Sequence, residues 1–321
     1  MLETNRREVN IIAIGGFGPA SHSNVKWRSE RGSHGTQQLR LGSSRKHPVS
    51  DDVKASAFPY SERMRKTIRG AVLTALSGLL LCLPVAASEA RKVEFKSGDD
   101  LLITGDIYLV SEDPETPLIV LFHQAGWSRG EYKEIAPRLG KLGYNCLAID
   151  ARSGGEINGV SNATKVRADE AKLGTTYVDA LPDLIAALQY ARDELPKAKL
   201  IAWGSSYSSA LALKVASDHP ELVDGVLSFS PGEYFSRQGQ PKDWITSAAK
   251  NIACPVFITS GKGERESWQP IFDAIPGDDK TFFLPTTEGN HGSRALWKQF
   301  DDSAAYWEAV EAFLSKSFPC E

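Results

Sequence analysis

The stretch from Lys199 to Ala210 admits few folds. KLIAW (199–203) reads as a buried strand, runs directly into Gly204, and gives way at once to the helical pattern SSALALKVAS. With no loop between strand and helix, the chain must turn sharply within AWGSSYSSA, residues 202–210. Such a turn crowds backbone against backbone, so the positions two before and two after its apex must be small. Ser206 has Gly204 and Ser208 there, whereas Ser205 would have Trp203 and Tyr207, and Ser208 lies already inside the helix. As plain structure these hydroxyls cap a helix N-terminus. As chemistry, Ser206 is the candidate nucleophile.

A serine hydroxyl is a weak nucleophile and needs a base. From Arg91 onward there are three histidines. His219, in SDHPEL, reads as a surface or capping residue, and His123 ends a buried strand in FHQAG. His291 lies in the glycine-rich loop EGNHGS, between the last strand and the last helix, where a loop residue can reach the carboxyl edge of a sheet. It is the expected base, and an acid must orient it. Glu264 follows the strand PVFITS by way of Ser260-Gly261 and emerges at that same edge. Aspartate is commoner in this role, but glutamate has the same charge and one more methylene. Glu266 nearby and Glu233, after GVLSFS, are the alternatives. Two backbone N–H donors must also meet a developing oxyanion. Tyr207, directly after the serine, supplies one; the loop HQAGWS after LIVLF supplies the other, from Ala125 or, second, Gln124. Gln124, Trp127 and Tyr234 are the expected substrate-binding residues, with Tyr132 and Tyr207 as further aromatics.

The remaining pattern alternates short apolar runs with helical segments, which implies a mainly parallel sheet. KVEF and LLITGDIYLV, joined by SGDD, form an antiparallel edge hairpin. LIVLF (118–122), CLAID (146–150), GVLSFS, PVFITS and TFFL are further strands. EYKEIAPRLGKLG is a helix ended by glycine, and Tyr177, Leu181, Leu184, Ile185 and Leu188 share one helical face. Tyr306, Val310, Phe313 and Leu314 stripe the last helix. The polar stretch Arg152 to Lys172 has no strong period and is expected to be a loop or small lid.

Composition divides the 321 residues into three parts. Residues 1–63 carry ten Lys/Arg against six Asp/Glu and no sustained apolar period; they are expected to be disordered or outside the translated protein. Within them GGFGPA resembles a dinucleotide-binding turn, but Pro19 and a polar run follow where a helix is required. Residues 64–90 read as a secretory signal peptide: Arg65, Lys66 and Arg69, the core AVLTALSGLLLCL, then small residues allowing cleavage after Ala87 or Ala90. Pro84 and the Ala/Ser tail favour cleavage over a membrane anchor, although the uncharged run approaches spanning length. Leu80 and Leu81 before Cys82 argue against a lipid-modified cysteine. Residues 91–321 hold 24 Lys/Arg and 33 Asp/Glu, a net charge of −9. That balance points away from nucleic acid and an anionic membrane surface, the absence of any CxxC pair argues against a zinc ribbon, and the expected partner of the serine constellation is a small-molecule ester or acyl substrate. No metal or organic cofactor is expected.

FHQAGWS, CLAIDARSGGE, WGSSYSS, PVFITSGKGE and NHGS together resemble the α/β-hydrolase superfamily, and within it the dienelactone-hydrolase-like esterases, over about Val93 to Phe318. The resemblance implies an α/β-hydrolase fold, a mostly parallel eight-stranded sheet with helices on both faces, and a secreted or periplasmic serine hydrolase of carboxylesterase type. A serine peptidase or acyltransferase would use the same residues, and a catalytically inactive binding protein could keep the same fold. Ser208 replaces the usual glycine, Glu264 replaces aspartate, and Ser206 stands where dienelactone hydrolases proper have cysteine. Arg152 matches a charged position that is often structural in this superfamily. In this fold Cys254 starts a strand at the amino edge and the last helix runs back toward that edge, so a Cys254–Cys320 disulfide is an open expectation, with Cys146 a buried thiol.

Overall fold

The computed structural model describes residues 90–320, so the expectations for residues 1–63 and for the signal peptide lie outside the described residues. The described residues open with an antiparallel hairpin, β1 (Arg91–Lys96) and β2 (Leu102–Tyr108), with Asp100 at φ 65° in its turn. Next come β3 (Leu118–Phe122), α1 (Ile135–Lys141) and β4 (Asn145–Ile149), with every β3 and β4 residue buried. That is what continuous apolar runs between two helical layers require. After α2 (Ala163–Glu170) and α3 (Leu181–Glu194), the order is β5 (Leu200–Ser205), α4 (Tyr207–Asp218), β6 (Gly225–Phe229), α5 (Trp244–Ala249), β7 (Val256–Thr259), α6 (Arg265–Ala274), β8 (Lys280–Phe283) and α7 (Ser303–Ser317). The eight strands form one sheet in the order β1-β2-β4-β3-β5-β6-β7-β8. Only the β1–β2 and β2–β4 pairings are antiparallel. Because β3 and β5 to β7 are parallel, their carboxyl ends and following loops share one edge. Among the described residues no helix is long and apolar enough to cross a membrane.

Two apolar layers sandwich the sheet. One packs Leu184, Leu188, Leu211, Val215, Ile245 and Trp268 against the strands. The other packs Tyr132, Leu139, Tyr306, Val310, Phe313 and Leu314, so the stripe read on the last helix is its buried face.

Two expectations need correction. The stretch from Arg152 to Lys172 is not an irregular loop: Glu156–Ile157 pairs antiparallel with Val160–Ser161, and α2 follows, capped by Asn162 Oδ1 accepting the Lys165 N–H. Hydropathy does not show α2, because it docks by polar contacts. Arg167 bonds Leu102 O, Thr104 Oγ1 and Glu94 on the β1–β2 hairpin, and Thr164 Oγ1 accepts the Thr104 N–H. Nor is there a Cys254–Cys320 bridge, since Cys146, Cys254 and Cys320 are all free thiols. The tail turns toward the start of β4: Tyr144 donates to Phe318 O, and Cys320 lies against Gly143. Cys254 precedes β7, four strand spacings from β4 and so on the order of 19 Å away, too far for a disulfide.

Arg152 has a structural role, as the resemblance implied. Its guanidinium is buried and bonds both oxygens of Asp99 and of Asp183, joining the hairpin turn to α3. Arg152→Met should therefore lower the free energy of unfolding by about 3–5 kcal/mol, because Asp183 would be left buried without its partner. Urea denaturation at pH 7 checks this, and a loss under 1 kcal/mol would contradict it.

Candidate active site

The nucleophile turn is built as its small residues require. Ser206 stands at the β5–α4 junction with φ 61° and ψ −125°. A Cβ on Gly204 would lie 2.4 Å from Ser209 Cα, so only glycine lets α4 approach this closely. The neighbouring serines hold the turn. Ser208 Oγ accepts the Ser205 N–H at 2.9 Å and is 2.8 Å from Phe122 O, its acceptor in β3. Ser208 thus stands in the usual glycine position with its hydroxyl bonded to the turn. Ser209 donates to Ser206 O, and the Ser206 N–H donates to Phe229 O at 2.7 Å. Ser205 Oγ donates to Glu131. Of these hydroxyls, that of Ser206 faces a histidine.

His291 Nε2 lies 2.8 Å from Ser206 Oγ, and its Nδ1 lies 2.6 Å from Glu264 Oε1. With a carboxylate at Nδ1, that nitrogen carries the proton and Nε2 accepts from the serine. The His291 loop is set by Gly289 and Gly292, at φ 71° and 72°. Tyr306 of α7 supports it, accepting the Asn290 N–H and donating to Ser260 O. Glu264 ends a short 3-10 turn after β7, and its Oε2 accepts from Ser230 Oγ at 2.6 Å and from the Gly261 N–H at 3.2 Å. Burial pushes the Glu264 carboxyl up, but the bonds from His291 and Ser230 outweigh it and hold it below the ordinary carboxylate value.

The other candidates separate cleanly. Glu233 caps α5 instead, accepting from the Ile245 and Thr246 N–H groups, and Glu266 lies exposed in the first turn of α6. His123 is buried, Nδ1 against Gln124 O and Nε2 accepting the Ala151 N–H, and burial lowers its pKa, favouring the neutral ring. The Gln124 N–H donates to Glu131 Oε2, so of the candidate oxyanion donors Ala125 and Tyr207 remain. The Gln124 side chain turns toward Gly292. Trp127 stacks on Trp297 at 5.3 Å as a brace for its loop. The Tyr234 phenol donates to Ser230 O and faces the Ser206 hydroxyl, so it borders the site.

An eight-stranded sheet in this order, with a serine on the β5–α4 turn and His291 and Glu264 on later loops, decides the fold. By fold the chain is an α/β-hydrolase. The family model described as "Serine aminopeptidase, S33" matches residues 113–257, which include Ser206. Among solved structures, the Pyrococcus furiosus esterase Pf2001 aligns with a TM-score of 0.53 at 18% identity, over 72% of this chain and 91% of that one. The dienelactone hydrolase of Anabaena variabilis gives 0.56 at 15% identity, over 72% and 99%. Est1E from Butyrivibrio proteoclasticus, described with ferulic acid bound, gives 0.54 at 13%, over 71% and 100%. No curated protein matches the sequence.

Two residues of this candidate site escaped sequence reasoning. Ser230 directly follows β6 at φ 58° and joins the acid loop to the histidine loop, since its Oγ donates to Glu264 and accepts the Gly292 N–H at 2.8 Å. Its position at the carboxyl end of GVLSFS, one strand from the nucleophile, was the available signal. Glu131 is fully buried beneath the site, in a short 3-10 turn whose sequence RGEY gives no hint of burial.

Ser230→Ala removes a donor from Glu264 and leaves the Gly292 N–H unpaired, so stability at pH 7 should fall by about 1–3 kcal/mol. Because the Glu264 pKa is depressed, its stabilisation is present above the ordinary carboxyl value and lost as pH falls through the depressed one. The variant should lose it at higher pH, with the Glu264 13C titration shifted upward. An unmoved titration would contradict the role assigned to Ser230.

Proposed function

We propose that the chain is a serine hydrolase that cleaves small-molecule esters through an acyl-enzyme on Ser206. The observation that carries this reading is the unbroken hydrogen-bonded line from Ser206 through His291 to Glu264. His291 takes the serine proton as Oγ attacks the acyl carbonyl, and Glu264 stabilises the imidazolium that results. The Ala125 and Tyr207 N–H groups receive the oxyanion, a contribution of about 2.7–4 kcal/mol per donor in comparable sites. His291 then returns the proton to the leaving alcohol and activates water against the acyl-enzyme.

The family match and the esterases among the structural neighbours support an ester hydrolase over a non-catalytic binding protein. The description of the family model favours a second reading, hydrolysis of an amide bond at the same serine. A fluorophosphonate probe should label the wild type at Ser206, and Ser206→Ala should lose labelling and about 10³-fold or more of turnover. p-Nitrophenyl esters of increasing acyl length should be hydrolysed faster than matched p-nitroanilides. Equal labelling of Ser206→Ala would defeat the reading, and preference for anilides would move it to peptidase chemistry.

We read the protein as exported, on the support of the basic, apolar and small-residue succession from Met64 to Ala90. Amino-terminal sequencing of protein recovered outside the cytoplasm should begin at Ser88 or Arg91. A chain that retains residues 64–90 would contradict cleavage.

A further inference from the structure

Beneath the site lies a buried carboxylate that the proposed chemistry leaves unused. Glu131 Oε2 accepts the Gln124 N–H at 2.8 Å, and Oε1 accepts the Ser205 hydroxyl at 2.7 Å. Ser205 Oγ in turn accepts the Ser293 N–H at 2.9 Å. The Glu131 carbonyl accepts Trp297 Nε1 at 3.0 Å, tying the same turn to the segment after the histidine. Each bonded group stands within two residues of one that the proposed reaction needs. Gln124 precedes the oxyanion donor Ala125, Ser205 precedes the nucleophile, and Ser293 lies two residues past His291.

We propose that Glu131 is a positioning residue whose ionised carboxylate locks the oxyanion loop, the nucleophile turn and the histidine loop into one arrangement. The inference rests on the serine hydrolase reading above. The hydrogen bonds favour the charge, because both carboxyl oxygens face donors. A backbone N–H can only donate, so Oε2 must accept. Ser205 Oγ accepts from Ser293, and with Glu131 ionised it sends its own proton to Oε1. A protonated Glu131 with its hydrogen on Oε1 would reverse the bond to Ser205, so that the serine no longer donates to it.

Burial opposes that charge and pushes the carboxyl up to about 7, against the bonds from Ser205 and Gln124 and the attraction of His291 and Arg294. The phenols of Tyr132 and Tyr207 also face it, and burial raises the pKa of both. The signs then oppose each other. Folded Glu131 holds its proton more tightly than the unfolded chain does, so stability falls as pH rises from the ordinary carboxyl range through about 7. Over the same range the working arrangement is filled and turnover rises. A residue that served stability alone would not separate the two.

The test uses the full chain, p-nitrophenyl acetate kinetics and thermal unfolding from pH 6 to 9. Glu131→Gln keeps the shape without the charge. At pH 8 its kcat should fall at least tenfold with KM within twofold, its melting temperature should equal or exceed that of the wild type, and its pH–rate profile should lose an ionisation. Ser205→Ala keeps the carboxylate and removes one connection, and should lose about threefold to tenfold in kcat. Glu131→Gln with a rate within twofold of wild type and an unchanged profile overturns the proposal, as does a kcat loss matched by a lowered melting temperature at pH 8. Should Glu131→Gln fail to fold, an unchanged kcat in Ser205→Ala overturns it. A wild type that neither hydrolyses the ester nor reacts with a fluorophosphonate defeats the hydrolase reading itself, and this proposal with it.

Discussion

The backbone of Ser206 is held at φ 61°, a conformation that costs a non-glycine residue about 1–3 kcal/mol and survives only when its surroundings over-determine it. Here β5 enters from the centre of the sheet, between β3 and β6, and its residues are all buried. The Ser206 N–H is bonded to Phe229 O in β6, and the hydroxyl of Ser208 bonds Phe122 O in β3. Both neighbours of the strand therefore grip the turn that β5 ends in. Gly204 lets α4 close over it, and the Ser206 hydroxyl is left facing His291.

Two carboxylates serve this turn from opposite electrostatic positions. Glu264, at the edge of the site, collects donors from His291, Ser230 and the Gly261 N–H, and they keep it charged despite partial burial. Glu131, below the site, has two donors and no solvent, and burial dominates. The difference follows from donor count and depth rather than residue type. Ser230 and Ser205 act as counterparts: each passes the pull of its carboxylate to a backbone N–H in the histidine loop, at Gly292 and Ser293. One loop is thus anchored from two sides by hydroxyls at the ends of adjacent strands.

Much of this was legible in the chain because it depends on local sterics and periodicity. The buried runs at 118–122 and 146–150, the helical stripe of Tyr306, Val310, Phe313 and Leu314, and the small residues around Ser206 each carry their own signal. The place of Glu264 just past the strand PVFITS, at the edge where the serine turn lies, favoured it over Glu233 and Glu266. The helix at Ala163–Glu170 was not legible, because it is fastened to the β1–β2 hairpin by Arg167 and Thr164 rather than by an apolar face. The free Cys320 was misjudged because the tail bends toward Tyr144, a contact that no local pattern encodes.

By itself, then, the sequence determined the alternating architecture and which serine could occupy a sharp turn, since both follow from interactions between residues close along the chain. Tertiary structure alone decided which polar groups share a proton. Ser230 with Glu264, Ser205 with Glu131, and the diversion of the Gln124 N–H away from the oxyanion position join residues 34, 74 and 7 positions apart. Those partnerships depend on strand order and on the depth at which each loop is buried. Hydrogen-bond direction and desolvation act through space, and only the folded sheet sets those distances.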